Sequence, residues 1–260
     1  MRGSVLTFIG QGPSPRDLSA IRYVLTDIDD TLTTDGKLLP QTYQAMWDLR
    51  DAGIELVTVT GGSAGWCEHI ARAWPVAAAI GESGAFVMSA ERNRVAVEYW
   101  EDEAIQAERQ AAHVAAVRPL LADRFRFAHD QRFRLADVAV DIVGHDRAEV
   151  DQLAARIRAL GGSAAISSVH LNTWIGRYDK QTMTERLLRR LGLGDVELAE
   201  QVCFVGDSRN DAPMFAHFPK SFGVANILPV IDDLPKKPRW ISQAPAGKGF
   251  AAIAQAILAR

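Results

Sequence analysis

The chain has 260 residues, of which 48% are apolar and 23% charged, with a net charge of −3. That length fits one large domain or a domain carrying an insertion, and the composition is globular. The slight acidity offers no basic field to nucleic acid, and no run approaches the roughly 18 apolar residues of a membrane span.

Two distant cysteines, Cys67 and Cys203, supply neither a zinc site nor a disulfide scaffold. A reduced, cytoplasmic setting is therefore expected. The apolar run near the N-terminus is too short for a secretory leader. Residues 1–20, with a Gly-Pro-Ser-Pro loop, read as an edge strand or a loose arm.

The first strand is predicted over 21–28. Its apolar part, Ile21 to Leu25, runs into Asp27, Asp29 and Asp30. Thr31 to Leu39 is a polar excursion with an Asp35-Gly36 turn signal. Tyr43, Met46, Trp47 and Leu49 predict a helix over 41–52, with Gly53 as its C-cap. Ile54 to Val59 is the second strand, apolar and β-branched as a buried parallel strand should be. It ends in Thr60-Gly61-Gly62-Ser63, and a helix over 63–73 follows, with Ser63 as N-cap. Val76 to Ile80 is the third strand. Gly81-Glu82-Ser83-Gly84 turns into a fourth, Ala85 to Met88. This alternation predicts a doubly wound, parallel-sheet α/β core.

The pattern then changes. A strand at Val95–Trp100 precedes a long Ala-rich helix, Glu101–Leu121. Strands are predicted at Phe125–Phe127 and Leu135–Val143, and a helix at Ala148–Leu160. Extended stretches follow at Ala164–Ser168 and Val169–Ile175. Helices mixed with antiparallel-type strands predict an inserted α+β domain at 90–175, between core segments 1–89 and 176–260. After it come a helix at Lys180–Leu191 and a strand at Val202–Val205, which ends in Gly206-Asp207-Ser208-Arg209-Asn210-Asp211. A helix over 211–217, strands at Ser221–Ala225 and Trp240–Ile241, and a helix at Gly249–Leu258 complete the reading.

Asp27-x-Asp29, Thr60-Gly61, Lys180 and Asp207-x-x-x-Asp211 all fall just after strands or at helix starts. In an open parallel sheet those places share the carboxyl edge, where ligands bind. Four carboxylates would then crowd together. At about 5 Å and an effective dielectric near 20, each like-charged pair repels by roughly 3 kcal/mol. Such a cluster calls for a cation, and oxygen donors without His or Cys favour Mg2+. Thr60, the Gly61 N–H and Lys180 add donors and positive charge for an anion. Together they describe a phosphate site built on a metal.

In this order, Asp27-Ile28-Asp29-Asp30-Thr31-Leu32, Thr60-Gly61, Lys180 and Gly206-Asp207-Ser208-Arg209-Asn210-Asp211 resemble the four motifs of the haloacid dehalogenase superfamily. The resemblance covers nearly the whole chain after residue 20. The insertion falls between the second and third motifs. That place is similar to subclass IIB, with its C2-type α/β cap: Cof-type sugar phosphatases, sucrose and mannosylphosphoglycerate phosphatases, and phosphomannomutases.

The resemblance implies a phosphatase of small phosphorylated metabolites, with Asp27 as nucleophile and Asp29 as general acid and then base. It implies Mg2+ held by Asp27, the Asp29 carbonyl, Asp207 and Asp211, and phosphoryl oxygens held by Thr60, Gly61 and Lys180, with Asn210 nearby. Asp30 stands where many relatives have Gly and is read as tuning the turn. Two rivals are a mutase that returns the phosphoryl group to a sugar, and a non-catalytic binding protein, against which the intact Asp27, Asp29, Lys180 and Asp207 argue.

Further substrate contacts are expected from His170 and Asn172, for which plain strand positions compete, and from Glu82 and Ser83 at the end of the third strand. Arg132 and Arg134 read as solvated surface, and Trp100 and Trp174 as packing residues. Gly247-Lys248-Gly249 lacks the rest of a P-loop. The expected partner is a small metabolite, not nucleic acid or membrane. The sequence leaves the oligomeric state open.

Overall fold

The structure, a computed structural model, describes residues 7–92, 94–167 and 169–260. Part of the N-terminal apolar run and the Ser168 end of one predicted strand lie outside the described residues.

The first segment holds α1 (Pro15–Leu18), β1 (Tyr23–Thr26), a hairpin of β2 (Thr33–Thr34) and β3 (Lys37–Leu38), α2 (Pro40–Asp51), β4 (Glu55–Val59), α3 (Ala64–Ala73) and β5 (Ala78–Gly81). Next come β6 (Phe86–Glu91), β7 (Arg94–Tyr99), α4 (Glu103–Leu121), β8 (Arg126–Phe127), β9 (Val138–Asp141), α5 (Arg147–Ala159), β10 (Ser163–Ile166) and β11 (His170–Trp174). The chain closes with α6 (Lys180–Arg190), α7 (Asp195–Gln201), β12 (Val202–Gly206), α8 (Ala212–His217), β13 (Lys220–Gly223), β14 (Trp240–Ile241) and α9 (Ala246–Leu258).

The large sheet runs β14-β13-β12-β1-β4-β5-β6-β7, parallel from β14 to β5 and antiparallel at β6 and β7. The predicted doubly wound core is therefore present, with two antiparallel strands added at one edge. The sequence reading puts the insertion from residue 90, but Arg94–Tyr99 pairs with β6 in the large sheet. The second sheet, β10-β11-β9-β8, begins only after α4.

Both faces of the large sheet are covered, which is why its central strands read as unbroken apolar runs. Val24 and Leu56 point to one face, among Met46, Leu49, Ile70 and Ile253 from α2, α3 and α9. Their neighbours Leu25 and Val57 point to the other, among Met183, Leu187 and Phe215 from α6 and α8. Each such fully buried side chain contributes about 1.5–3 kcal/mol.

From β1 the chain steps to β4 and β5 on one side. It later returns to β12, β13 and β14 on the other. The reversal opens a crevice at the carboxyl end of β1.

The smaller sheet packs one face on α4 and α5, through Val117, Leu121, Val138, Val140, Leu153, Ile157 and Leu171. Strand alternation then turns His170, Asn172 and Trp174 toward the large sheet. The short α7 buries only Leu198, too little apolar periodicity to predict it from sequence. Among the described residues no helix is long and apolar enough to cross a membrane.

Candidate active site

The loops after β1, β4 and β12 and the start of α6 meet at the crevice. Asp27 follows β1 directly and is 5% exposed. Lys180 is the first residue of α6, and Asp179 caps that helix by accepting the Thr182 N–H. A lysine at a helix N-terminus opposes the helix dipole. Here its charge is met by carboxylates: Nζ donates to Asp27 Oδ1 at 2.7 Å and to Asp211 Oδ1 at 2.9 Å. A longer bond reaches Asn210 Oδ1 at 3.3 Å.

Asp211 also accepts the backbone N–H groups of Asp207 and Ser208, at 3.1 and 3.2 Å, and so shapes the loop after β12. Asp207 accepts from the Thr31 hydroxyl at 3.1 Å and from Asn226 Nδ2 at 2.9 Å. Asn226, in the turn after β13, also donates to the Asp30 carbonyl and accepts the Ala246 N–H that starts α9. Sequence reasoning missed both supports of Asp207. Thr31 lay within the quoted motif, whereas only the strand-end rule pointed toward Asn226.

Asp27, Asp207 and Asp211 offer carboxylate oxygens within 4.8 Å of one another, all buried. One ammonium does not balance them. Burial pushes Asp27 up to about 7, with Lys180 opposing, and pushes Asp207 up to about 9, with Asp211 and Asp27 adding to it. An all-oxygen, charge-excess cluster of this kind fits a hard divalent cation. Asp207 has two neutral donors and Asp27 only Lys180. Asp211 has both oxygens engaged by N–H groups and would share Oδ1 with Lys180.

Asp29 lines the cavity, and desolvation by the protein around it raises its carboxyl above the ordinary range, again with Lys180 opposing. A raised carboxyl suits a general acid. Asp30 has φ of 58°, the left-handed region that Gly or Asp accepts, so it does set the turn.

Thr60 Oγ1 accepts the Gly62 N–H at 2.9 Å, which leaves the hydroxyl proton free to point elsewhere. Ser83 donates its N–H to the Thr60 carbonyl and lines the cavity. Its φ is 60° and that of Glu82 is 45°, two successive left-handed residues at the rim.

Three expectations need correction. Glu82 is no substrate contact. It is fully buried and accepts N–H groups from Ala64, Leu135, Ala136 and Asp137, joining the start of α3 to the insertion. Glu82 thus supplies the cap to α3, where Ser63 holds the N-cap place without a side-chain bond to the helix. Arg134 is not solvated surface. Its side chain is 0% exposed and forks onto Asp130 and Asp137. Residues 135–137 do not join β9 because their N–H groups turn to Glu82. Asn172 lines the cavity, but its Nδ2 donates to Gly61 O at 2.8 Å and to Asp137 Oδ2 at 2.9 Å. His170 lines the same cavity, and burial lowers its pKa, so the imidazole is neutral near pH 7.

The cavity measures about 870 Å³. Asp27, Asp29, Thr60, Lys180 and Asp207 form its floor, and His170, Ser167 and Ala165 from the insertion form its roof.

Comparison with known proteins agrees with this architecture. Residues 24–117 match the profile of a family described as haloacid dehalogenase-like hydrolase. No curated protein matches the sequence. Among solved structures, a Thermoplasma acidophilum protein superposes with a TM-score of 0.74 at 17% identity, over 92% of this chain and 99% of that one. The sucrose-phosphatase from Synechocystis, solved with sucrose and phosphate, gives 0.67 at 17% identity, over 92% and 97%. A Bacteroides thetaiotaomicron protein from the haloalkanoate superfamily phosphatases gives 0.63 at 17%, over 96% and 98%.

Proposed function

We propose that this chain is a haloacid dehalogenase-like hydrolase: a Mg2+-dependent phosphatase acting on a small phosphorylated metabolite, a sugar phosphate by preference, through an aspartyl-phosphate at Asp27. The observation that carries the reading is the convergence of Asp27, Asp207 and Asp211 on one another, with Lys180 bonded to Asp27 and Asp211, in the cavity that Thr60 and Gly61 also line.

Asp27, Asp207 and Asp211 would hold the ion, with the Asp29 carbonyl as a further donor implied by the family resemblance. Bound there, Mg2+ would offset the carboxylate excess and draw charge from the phosphoryl oxygens. Lys180, the Thr60 hydroxyl and the Gly61 N–H would bind those oxygens and orient phosphorus toward Asp27. The Asp27 carboxylate attacks phosphorus, and the bond to the leaving oxygen breaks as Asp29 gives that oxygen its proton. Asp29 then takes a proton from the water that cleaves the acyl phosphate, which restores Asp27 and releases phosphate. Uncatalysed monoester hydrolysis is among the slowest reactions, so positioning and charge must supply most of the acceleration.

The cavity is large enough for a leaving group of sugar size. His170, Ser167 and Ser83 offer neutral polar contacts of the kind hydroxyl groups need.

A screen of phosphorylated metabolites for released phosphate, with Mg2+ present, tests the reading. Phosphate release from at least one sugar phosphate is expected, and transfer back to the sugar without release would point to a mutase. Asp27→Asn should abolish hydrolysis of a generic aryl phosphate. If it hydrolyses as fast as wild type, Asp27 is not the nucleophile.

A further inference from the structure

The phosphate-binding loop after β4 is held from outside its own domain. Arg134 Nη1 donates to the Gly61 carbonyl at 2.9 Å, and Asn172 Nδ2 donates to the same oxygen at 2.8 Å. Arg134 lies between β8 and β9 and Asn172 on β11, so both belong to the inserted part of the chain. They are 73 and 111 residues away from Gly61 in sequence.

Neither donor is loose. Arg134 also donates Nη1 to Asp137 Oδ1 at 2.8 Å and spans both oxygens of Asp130. Asn172 shares Asp137 through Oδ2 at 2.9 Å. The Asp137 main chain is fixed in turn, because its N–H donates to Glu82 Oε2 at 2.9 Å. Glu82 follows β5, next to the loop that is being held.

We infer that Arg134 and Asn172 are positioning residues: by fixing the Gly61–Gly62 peptide they set the Thr60 hydroxyl as a phosphate donor. The Gly61 carbonyl and the Gly62 N–H belong to one rigid peptide plane. Two donors on the carbonyl fix that plane, and its N–H then points at Thr60 Oγ1 at 2.9 Å. A hydroxyl that accepts this bond turns its own proton away from it, toward the cavity. The insertion therefore does more than roof the substrate, because the loop takes its phosphate-binding shape only with the insertion seated. Gly61 suits this closeness: a Cβ there would meet the Asn172 amide at 3.3 Å.

The inference rests on the phosphatase reading only for the identity of the anion. The test compares wild type, Asn172→Ala, Thr60→Val and the double variant, by amide hydrogen exchange and by titration with inorganic phosphate in saturating Mg2+. Asn172→Ala should speed Gly62 exchange and weaken phosphate binding, each by about tenfold or more, the scale seen when supporting partners of a ligand residue are removed. Mg2+ affinity should stay within about twofold, since no metal ligand is touched. In the Thr60→Val background the same change should alter phosphate affinity by less than about twofold, because the coupled group is gone.

Unchanged Gly62 exchange in folded Asn172→Ala, or equal loss of phosphate affinity in both backgrounds, would overturn the inference. Arg134→Lys keeps a cation against Asp137 and Asp130 but loses the fork. It provides a second, independent variant with the same expected signs. Faster Gly62 exchange in Asn172→Ala, in a wild type that binds no phosphate, would uphold the positioning and sink the phosphatase reading instead.

Discussion

The carboxyl edge of the large sheet and the seam between sheet and insertion are both built from buried charge, and they treat it in opposite ways. At the edge, Asp27 and Asp211 share one ammonium with Asp207 beside them, and burial, with the neighbouring carboxylates adding to it, pushes Asp207 up to about 9. At the seam, Glu82 gathers four backbone N–H groups, and Asp137 is met by Arg134 and Asn172. A binding site is left short of positive charge, which a ligand completes. A joint is saturated by the chain itself. Removing a carboxylate should therefore harm function at the edge and stability at the seam.

The largest expected effect is at the edge. Asp27→Asn should lower kcat on an aryl phosphate by at least about 10³-fold, as loss of a nucleophile does. Asp207→Asn should likewise abolish Mg2+-dependent turnover, yet the metal-free protein should melt no lower than wild type, because a carboxyl that burial forces to take up a proton on folding is gone. A clear drop in metal-free Tm for Asp207→Asn would erase the contrast. At the seam the order reverses. Glu82→Ala should lower unfolding free energy by about 3–5 kcal/mol in urea titrations, since four buried N–H groups lose their acceptor and the truncated side chain leaves a cavity.

Gly84 joins the two regions. Its φ is +112°, and a Cβ there would lie 2.1 Å from the Asp179 carbonyl, next to Lys180. Gly84→Ala should cost about 3 kcal/mol or more and lower activity together with stability.

The pH dependence sharpens the comparison further. Asp27, Asp207 and Glu82 are raised to about 7, 9 and 8, chiefly by burial, and Asp137 is raised as well. A carboxyl whose folded pKa lies above its unfolded one stabilises below the unfolded value and loses that contribution as pH rises through the folded value. The metal-free Tm should therefore decline from about pH 4 to about pH 9. Mg2+ at 100 times the Kd it has at pH 8 should restore about 2.7 kcal/mol there, and the same concentration should restore less at pH 5, because protons compete with it at the edge alone. Thermal scans with and without Mg2+ across that range would check it. The smallest effect is expected far from both regions: Arg72→Ala breaks an exposed pair with Glu68 and should change stability by less than about 0.5 kcal/mol.

The two regions also differed in how far the sequence disclosed them. The edge was legible because each part is local: an apolar run such as Ile54–Val59 announces a buried strand, and the polar residues after it announce the site. The four motifs needed only parallel order to converge. The seam was not legible, because Arg134 meets Gly61 across 73 residues and Asn172 meets it across 111. A weak local sign did exist, since Asp130 and Asp137 flank Arg134 at spacings that permit ion pairs. The His170-x-Asn172-x-Trp174 alternation marked one face of a strand, but not that Asn172 would hold the loop after β4. Leu135–Asp137 read as strand because they lead into the alternating Val138, Val140 and Ile142, whereas a single carboxylate, Glu82, draws their backbone out of the sheet.

The central claim is that Asp27 carries the phosphoryl group. Borohydride added during turnover of a hydrolysed substrate would reduce an acyl phosphate to an alcohol, and peptide mass spectrometry would locate it. The account predicts reduction at residue 27, dependent on substrate and Mg2+ and absent in Asp27→Asn. Sustained turnover with no reduction at residue 27, or with reduction at Asp29 instead, would contradict it.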